Sequence, residues 1–234
     1  MTFAIAVPTF YVTMKSKLTM INRFLDCARR LDDKGFIAGT DGNISVRLDD
    51  DHILVTPSGF RKGDLDDHDL VTVNLQGTII AGEKKPSSEL DMHLHVYRNR
   101  PDCRACVHAH PPYATAFALA HTPLPETLLP EVVVFVGPIA LTEFAPPGTS
   151  AVGASLDPFI KTHNAFLLAN HGLLTTGGSL EEAYNRHETV EHYARIVYLA
   201  GRIGSAHALP EEELTRLRDM RAHIEATAKR QSPE

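Results

Sequence analysis

The chain has no tryptophan, little cysteine, and no apolar run approaching the roughly 18 residues that a membrane-spanning helix needs, so a membrane span is not expected. Its three cysteines, Cys27, Cys103 and Cys106, are an odd number in 234 residues. That argues against a disulfide framework and for a reducing compartment, the cytoplasm. Positive charge is also in deficit: 23 Lys and Arg face 29 Asp and Glu, for a net charge of -6 and a pI near 6.1. A general nucleic-acid binder, which needs a basic face against phosphates, is therefore not expected. A small anion stays compatible, because a few backbone amides and one cation can bind it locally. The opening MTFAIAVPTFYVT lacks the positive n-region of a signal peptide and carries Pro8 inside its apolar part. It reads as an arm over residues 1–16, flexible or packed on a partner, with Met14 as an alternative start.

What is present is enough apolar content, 43%, for a substantial core, and the length suits a single domain over residues 17–228 followed by a tail at 229–234. Between Lys17 and Lys34 the apolar residues Ile21, Phe24, Leu25, Ala28 and Leu31 recur at helical spacing, and Gly35 stands where a glycine would stop the helix. Two alternating runs, Ile44 to Leu48 and Ile53 to Thr56, are joined by three aspartates and predict a hairpin; Leu70 to Asn74 and Thr78 to Ala81 predict another. Ser87 or Ser88 can cap a helix running to about Arg98. A strand through ACVHAH follows, closed by Pro111 and Pro112, and then a helix over Ala114 to Ala120. The runs Val132 to Val136 and Ile139 to Leu141 read as two strands about a Gly137-Pro138 turn. Ala151 to Lys161 reads as helix, Ala165 to Ala169 as a buried strand, and Leu173 to Thr176 as its return. Helices over Leu180 to about Leu199, capped by Ser179, and over Pro210 to about Ala228 complete the pattern.

The chemistry centres on His108 and His110. On a strand, residues i and i+2 point to one face, so two imidazoles can close on one metal ion without distorting the backbone. His171, at the end of a short buried strand, is the natural third ligand, and Gly172 beside it would leave room near an ion. Three histidines leave a position for a substrate oxygen, as catalytic zinc requires. The competing readings are that His171 merely ends a strand in a turn, and that Cys103 and Cys106 join His108 and His110 in a structural site. The second has poor geometry, since Cys103 falls in the turn before the strand. Glu89, at the start of a helix, can either complement the helix dipole or face the histidine cavity as a general base. Gly42-Asn43, Ser58-Gly59 and Ser87-Ser88 are small hydrogen-bonding residues in turns, and their amides and hydroxyls could converge on a phosphate without any lysine.

In this order, the motifs GNISVR, TPSG, KPSSE, VHAHPPYA and ANHG, from Gly42 to Gly172, resemble the class II aldolase/adducin family, above all its L-fuculose-1-phosphate aldolase branch. The resemblance implies a three-layer α/β/α sandwich around a mainly antiparallel sheet, and a homotetramer with its sites at subunit interfaces. It implies one Zn2+ per subunit, or Mn2+ or another divalent ion, held by His108, His110 and His171, with Glu89 as the acid/base that also touches the metal in the empty site. Gly42, Asn43, Ser58, Gly59, Ser87 and Ser88 resemble that family's phosphate cradle, and the implied substrate is a phosphorylated sugar. The implied reaction is reversible cleavage of a ketose 1-phosphate to dihydroxyacetone phosphate and an aldehyde. A decarboxylase and a pentulose-phosphate 4-epimerase share the fold. The tyrosines that serve the aldehyde side in fuculose phosphate aldolases find no match here, which makes Glu131 and Tyr113 candidate replacements.

Overall fold

The computed structural model describes residues 9–231, with side chains from 18 to 227. In chain order the elements are α1 (Thr9–Asp33), β1 (Asn43–Arg47), β2 (His52–Val55), β3 (Val71–Asn74), β4 (Ile79–Ala81), α2 (Leu90–Asn99), β5 (Ala105–Ala109) and α3 (Pro112–Leu119). These are followed by β6 (Ile139–Leu141), α4 (Ser150–Ala154), β7 (Ala165–Leu168), β8 (Gly172–Gly177), α5 (Leu180–Ile203) and α6 (Glu211–Gln231). The strands form one sheet in the order β4-β3-β2-β1-β5-β8-β7-β6. Both expected hairpins are present, in registers that pair Val46 with Leu54 and Thr72 with Ala81.

Helices cover both faces of the sheet, and the two-residue period of the strands decides which side chains meet which helix. Along β5, Ala105, Val107 and Ala109 pack with Phe24, Ala28 and Leu31 of α1 and with Ala183 and Tyr184 of α5. Cys106 points the other way, into a cluster with Met92, Val96 and Tyr97 of α2 and Val152 of α4. The same alternation recurs on β7. Ala165 and Leu167 face α3 and α5, whereas Phe166 and Leu168 face α2 and α4. His108, two residues from Cys106, therefore shares the face on which α2 lies.

Several expectations are corrected here. Val132–Val136 is not a strand but a π-helical turn. A continuous valine run has no period to choose between strand and helix, and packing chose: Val132 and Val136 pack toward α3 and α5, while Val133 and Val134 pack against Leu214 and Leu217 of α6. With that hairpin partner gone, β6 pairs with β7 in parallel, Ile139 opposite Ala165, while the other neighbouring strands run antiparallel. The sheet is thus mixed, one parallel pair joining the antiparallel pairs that the resemblance implies. A parallel pair needs a long crossover, and the segment carrying α4 supplies it. Helix α1 begins at Thr9, so part of the expected arm is helical, and residues 1–8 lie outside the described residues. The helix expected over Ala151 to Lys161 is regular only over Ser150–Ala154 and continues as turns, while α6 runs on to Gln231, leaving 232–234 of the expected tail outside the described residues. No helix among the described residues is long and apolar enough to cross a membrane.

Candidate metal centre and anion cradle

Two chain segments, β5 with its end and the β7–β8 turn, bring the histidines together. His108 lies on β5, opposite Asn43 of β1 and Leu174 of β8. His110 follows the end of the strand, its backbone N–H donating to the Phe36 carbonyl at 2.9 Å. His171 occupies the tight turn between β7 and β8, where its N–H donates to the Leu168 carbonyl at 3.0 Å. The residue before it, Asn170, has φ 56°, a left-handed conformation that asparagine tolerates better than most residues. The three imidazoles present ligand atoms that all lie within 4.8 Å of one another.

Several observations fit this triad to a divalent metal. His108 Nδ1 lies 3.0 Å from the Leu173 carbonyl oxygen, which fixes the proton on Nδ1 and leaves Nε2 as a free donor of its lone pair. His108 Nε2 and His110 Nε2 are buried without a hydrogen-bond partner, and such orphans demand an explanation. His110 Nδ1 is 3.4 Å from Asp41, a carboxylate placed as outer-shell ligand orienters usually are. Burial, reinforced by His108 and His171, pushes His110 down to about 4, so it is a neutral imidazole near pH 7. Gly172 is also needed, because a Cβ there would stand 2.5 Å from His110 Cδ2 and 2.7 Å from the Ala109 carbonyl. The carbonyl belongs to β5 and cannot move cheaply. Gly172→Ala is accordingly expected to weaken divalent-ion affinity by roughly 10- to 100-fold, measured by competition with a chelator.

Glu89 completes the centre. It occupies the N-cap of α2 but makes no side-chain cap, so the dipole reading does not account for its direction. Its Oε2 lies 3.1 Å from His108 Nε2, and its Oε1 lies 3.1 Å from His171 Nε2. Asn43 Nδ2 donates to Oε2 at 2.9 Å. Burial works to raise the Glu89 carboxyl, but positive charge at the adjacent His108 and His171 outweighs it and holds the group below the usual carboxylate range. Behind it, His93 is fully buried and pairs through Nδ1 with Ser45 Oγ at 2.6 Å, and that hydroxyl also meets Tyr97 Oη at 2.8 Å. Burial, with His108 nearby, pushes His93 down to about 3, so it serves as a neutral core residue. The cysteines stay out of the centre: Cys103 and Cys106 sulfurs are 3.9 Å apart in the core beside α2, and the clustered ligand group is the histidine triad.

A cavity of about 520 Å³ opens over the triad, a volume in the range of small-molecule sites. Gly42, Asn43, Ser58, Gly59, Ser87, Ser88, Glu89, His110 and His171 all line it. The TPSG and KPSSE segments are clipped together, Ser58 N–H donating to the Lys85 carbonyl at 2.8 Å and Ser87 N–H to the Thr56 carbonyl at 3.1 Å. Gly42 and Gly59 have φ of 69° and 79°, which side chains other than glycine rarely adopt. Glu131 and Tyr113 are not brought to this cavity within the chain. Glu131 is exposed at the start of the π-helical turn, and Tyr113 stacks against Tyr198 with ring centroids 5.8 Å apart.

One cavity residue was missed in the sequence. Lys62 is 2% exposed, and its ammonium donates to the Thr40 carbonyl at 2.6 Å and the Phe60 carbonyl at 2.8 Å. Burial lowers it to about 8, against the pull of Asp41 and Glu89. Its place directly after the TPSG turn was the available signal, but a lysine in an acidic loop reads as solvated.

The comparisons with known proteins agree with this geometry. The sequence model of the Class II Aldolase and Adducin N-terminal domain matches residues 22–198. The chain belongs to this family. It is 38% identical over 172 residues to a 3-oxo-tetronate 4-phosphate decarboxylase of Pectobacterium atrosepticum, covering 72% of this chain and 78% of that protein. It is 36% identical to an L-fuculose phosphate aldolase of Methanococcus maripaludis, over 78% of this chain and 97% of that one. A solved L-fuculose 1-phosphate aldolase superposes with a TM-score of 0.80 at 32% identity, covering 86% of this chain and 95% of its own.

Proposed function

We propose that this chain is a metal-dependent aldolase that reversibly cleaves a ketose 1-phosphate to dihydroxyacetone phosphate and an aldehyde. The observation that carries the reading is a cluster of three converging imidazoles with a largely buried carboxylate, opening into a single cavity that the small-residue turns also line. His108, His110 and His171 would hold the ion, Zn2+ by donor type, with Mn2+ or another divalent ion compatible. A divalent ion there supplies Lewis acidity toward the oxygens beside the carbon that exchanges its proton. Glu89 carries that proton: in the synthetic direction it takes one hydrogen from C3 of dihydroxyacetone phosphate, and in cleavage it returns it. Asn43 fixes the carboxylate by donating to Oε2. The turns at Gly42, Ser58, Gly59, Ser87 and Ser88 hold the phosphate and so anchor one end of the substrate.

The proposal includes a homotetramer, in which Glu131 or Tyr113 of a neighbouring subunit serves the aldehyde oxygen. Exposed apolar side chains at Phe135, near Glu131, and at Leu199 and Ile203, beyond Tyr198 on α5, support burial of surface against further copies. A decarboxylase acting on a phosphorylated 3-oxo acid is the second reading, favoured by the relative at 38% identity. Both readings share the proton and phosphate parts, and the leaving fragment separates them. A coupled assay for dihydroxyacetone phosphate over a panel of ketose 1-phosphates is expected to show turnover. Carbon dioxide release from a 3-oxo acid phosphate, with no turnover on the panel, would overturn the aldolase reading.

Asn43 and Ser87 both bond to Glu89, the latter through Oγ accepting the Glu89 N–H at 3.3 Å, so substituting them disturbs the base as well. Ser88→Ala is the cleaner probe. It is expected to raise KM for phosphorylated substrates by roughly ten- to a hundredfold and to leave the unphosphorylated counterparts unaffected, since a hydrogen bond to a charged group contributes about 1.5–3 kcal/mol.

A further inference from the structure

Lys62 is the sole lysine or arginine among the residues lining the cavity. An ammonium carries three donors, and two are used by the carbonyls of Thr40 and Phe60, leaving one without a protein acceptor among the described residues. Removing a cation from water is costly unless a counter-charge or full hydrogen bonding compensates. Lys62 makes no ion pair with a carboxylate among the described residues, although it is 2% exposed. Its two acceptors are informative by their place: Thr40 belongs to the turn that leads into Gly42 and Asn43, and Phe60 follows Ser58 and Gly59. The ammonium therefore ties two of the three cradle turns together and sets a positive charge beside them.

We propose that the missing counter-charge is the substrate's phosphate, and that Lys62 is a binding residue which makes this site selective for a dianionic phosphoryl group over a neutral or singly charged end. This rests on the phosphate reading above and deepens it, replacing a purely neutral cradle by one with a single fixed cation. The neutral turns supply direction, and Lys62 supplies charge in a wall that otherwise carries the carboxylates of Asp41 and Glu89. Without it those two charges would repel the anion at close range.

The test uses the full-length, metal-loaded protein with inorganic phosphate as probe, titrated by calorimetry in the wild type and in Lys62→Met, Lys62→Gln and Lys62→Arg. Lys62→Met and Lys62→Gln are expected to lose roughly ten- to a hundredfold in phosphate affinity with metal stoichiometry unchanged, while Lys62→Arg retains most of it. Should Lys62→Met fail to fold, the comparison of Gln with Arg carries the result, since both side chains donate hydrogen bonds and one of them is charged. Phosphate binding that is as tight in the neutral variants as in the wild type overturns the role of Lys62 and leaves the phosphate cradle standing. A wild-type protein that binds no phosphate overturns the cradle itself, and the proposal with it.

Discussion

His108→Ala is expected to abolish stoichiometric binding of a divalent ion, whereas the double variant Cys103→Ser, Cys106→Ser retains it in full. The reason is positional. His108 is completely buried, its ring is fixed by the Leu173 carbonyl, and its Nε2 has no hydrogen-bond partner. Removing it takes away the most deeply buried and most firmly oriented donor, and leaves His110 and His171 with a Glu89 carboxylate that has lost the ring beside its Oε2. The two sulfurs pack beside Tyr97 instead. Metal analysis after dialysis reads both variants directly, and metal loss in the double serine variant would sink the assignment. Circular dichroism serves as control, because a cavity at a fully buried position also lowers stability.

The second large effect concerns Glu89. Glu89→Gln preserves size and a hydrogen-bonding end, so Asn43 and the fold are little disturbed, but an amide cannot accept the proton from C3. Exchange of the C3 hydrogen of dihydroxyacetone phosphate with solvent should fall by about 10²- to 10⁴-fold, the usual contribution of a positioned base. Exchange isolates this step from cleavage, so it needs no knowledge of the aldehyde. Unchanged exchange in metal-loaded Glu89→Gln would remove Glu89 from the mechanism. The carboxylate's position between His108 and His171 means that metal content must be measured in the same preparation.

Much of this site was legible before any coordinates. Two histidines on one strand would share a face because the side-chain period is two; β5 carries His108 but ends at Ala109, and His110, one residue beyond, still meets His108 and His171. Gly172 was singled out for the space it leaves, and a Cβ there would meet the rings of both His110 and His108 and the Ala109 carbonyl between them. The small turn residues at 42–43, 58–59 and 87–88 line one cavity, as their order along the chain suggested once the family resemblance was drawn.

Other features depended on contacts between segments far apart in the chain. The amino-acid sequence by itself determined which of the hairpin strands alternate, where the long helices run and which histidines and small turn residues are candidates for holding a metal or an anion, because periodicity and turn chemistry are local. Only the tertiary structure decided that Val132–Val136 coils as a π-helical turn, since four buried valines needed partners on more than one side. It also decided that β6 lies parallel to β7. Glu89 turned from its helix N-cap to the histidines rather than capping α2, and Lys62 was drawn under the cradle instead of into solvent. Local pattern gives the face on which a side chain stands. What it meets there depends on neighbours dozens of residues away, whose placement is set by packing the core as a whole.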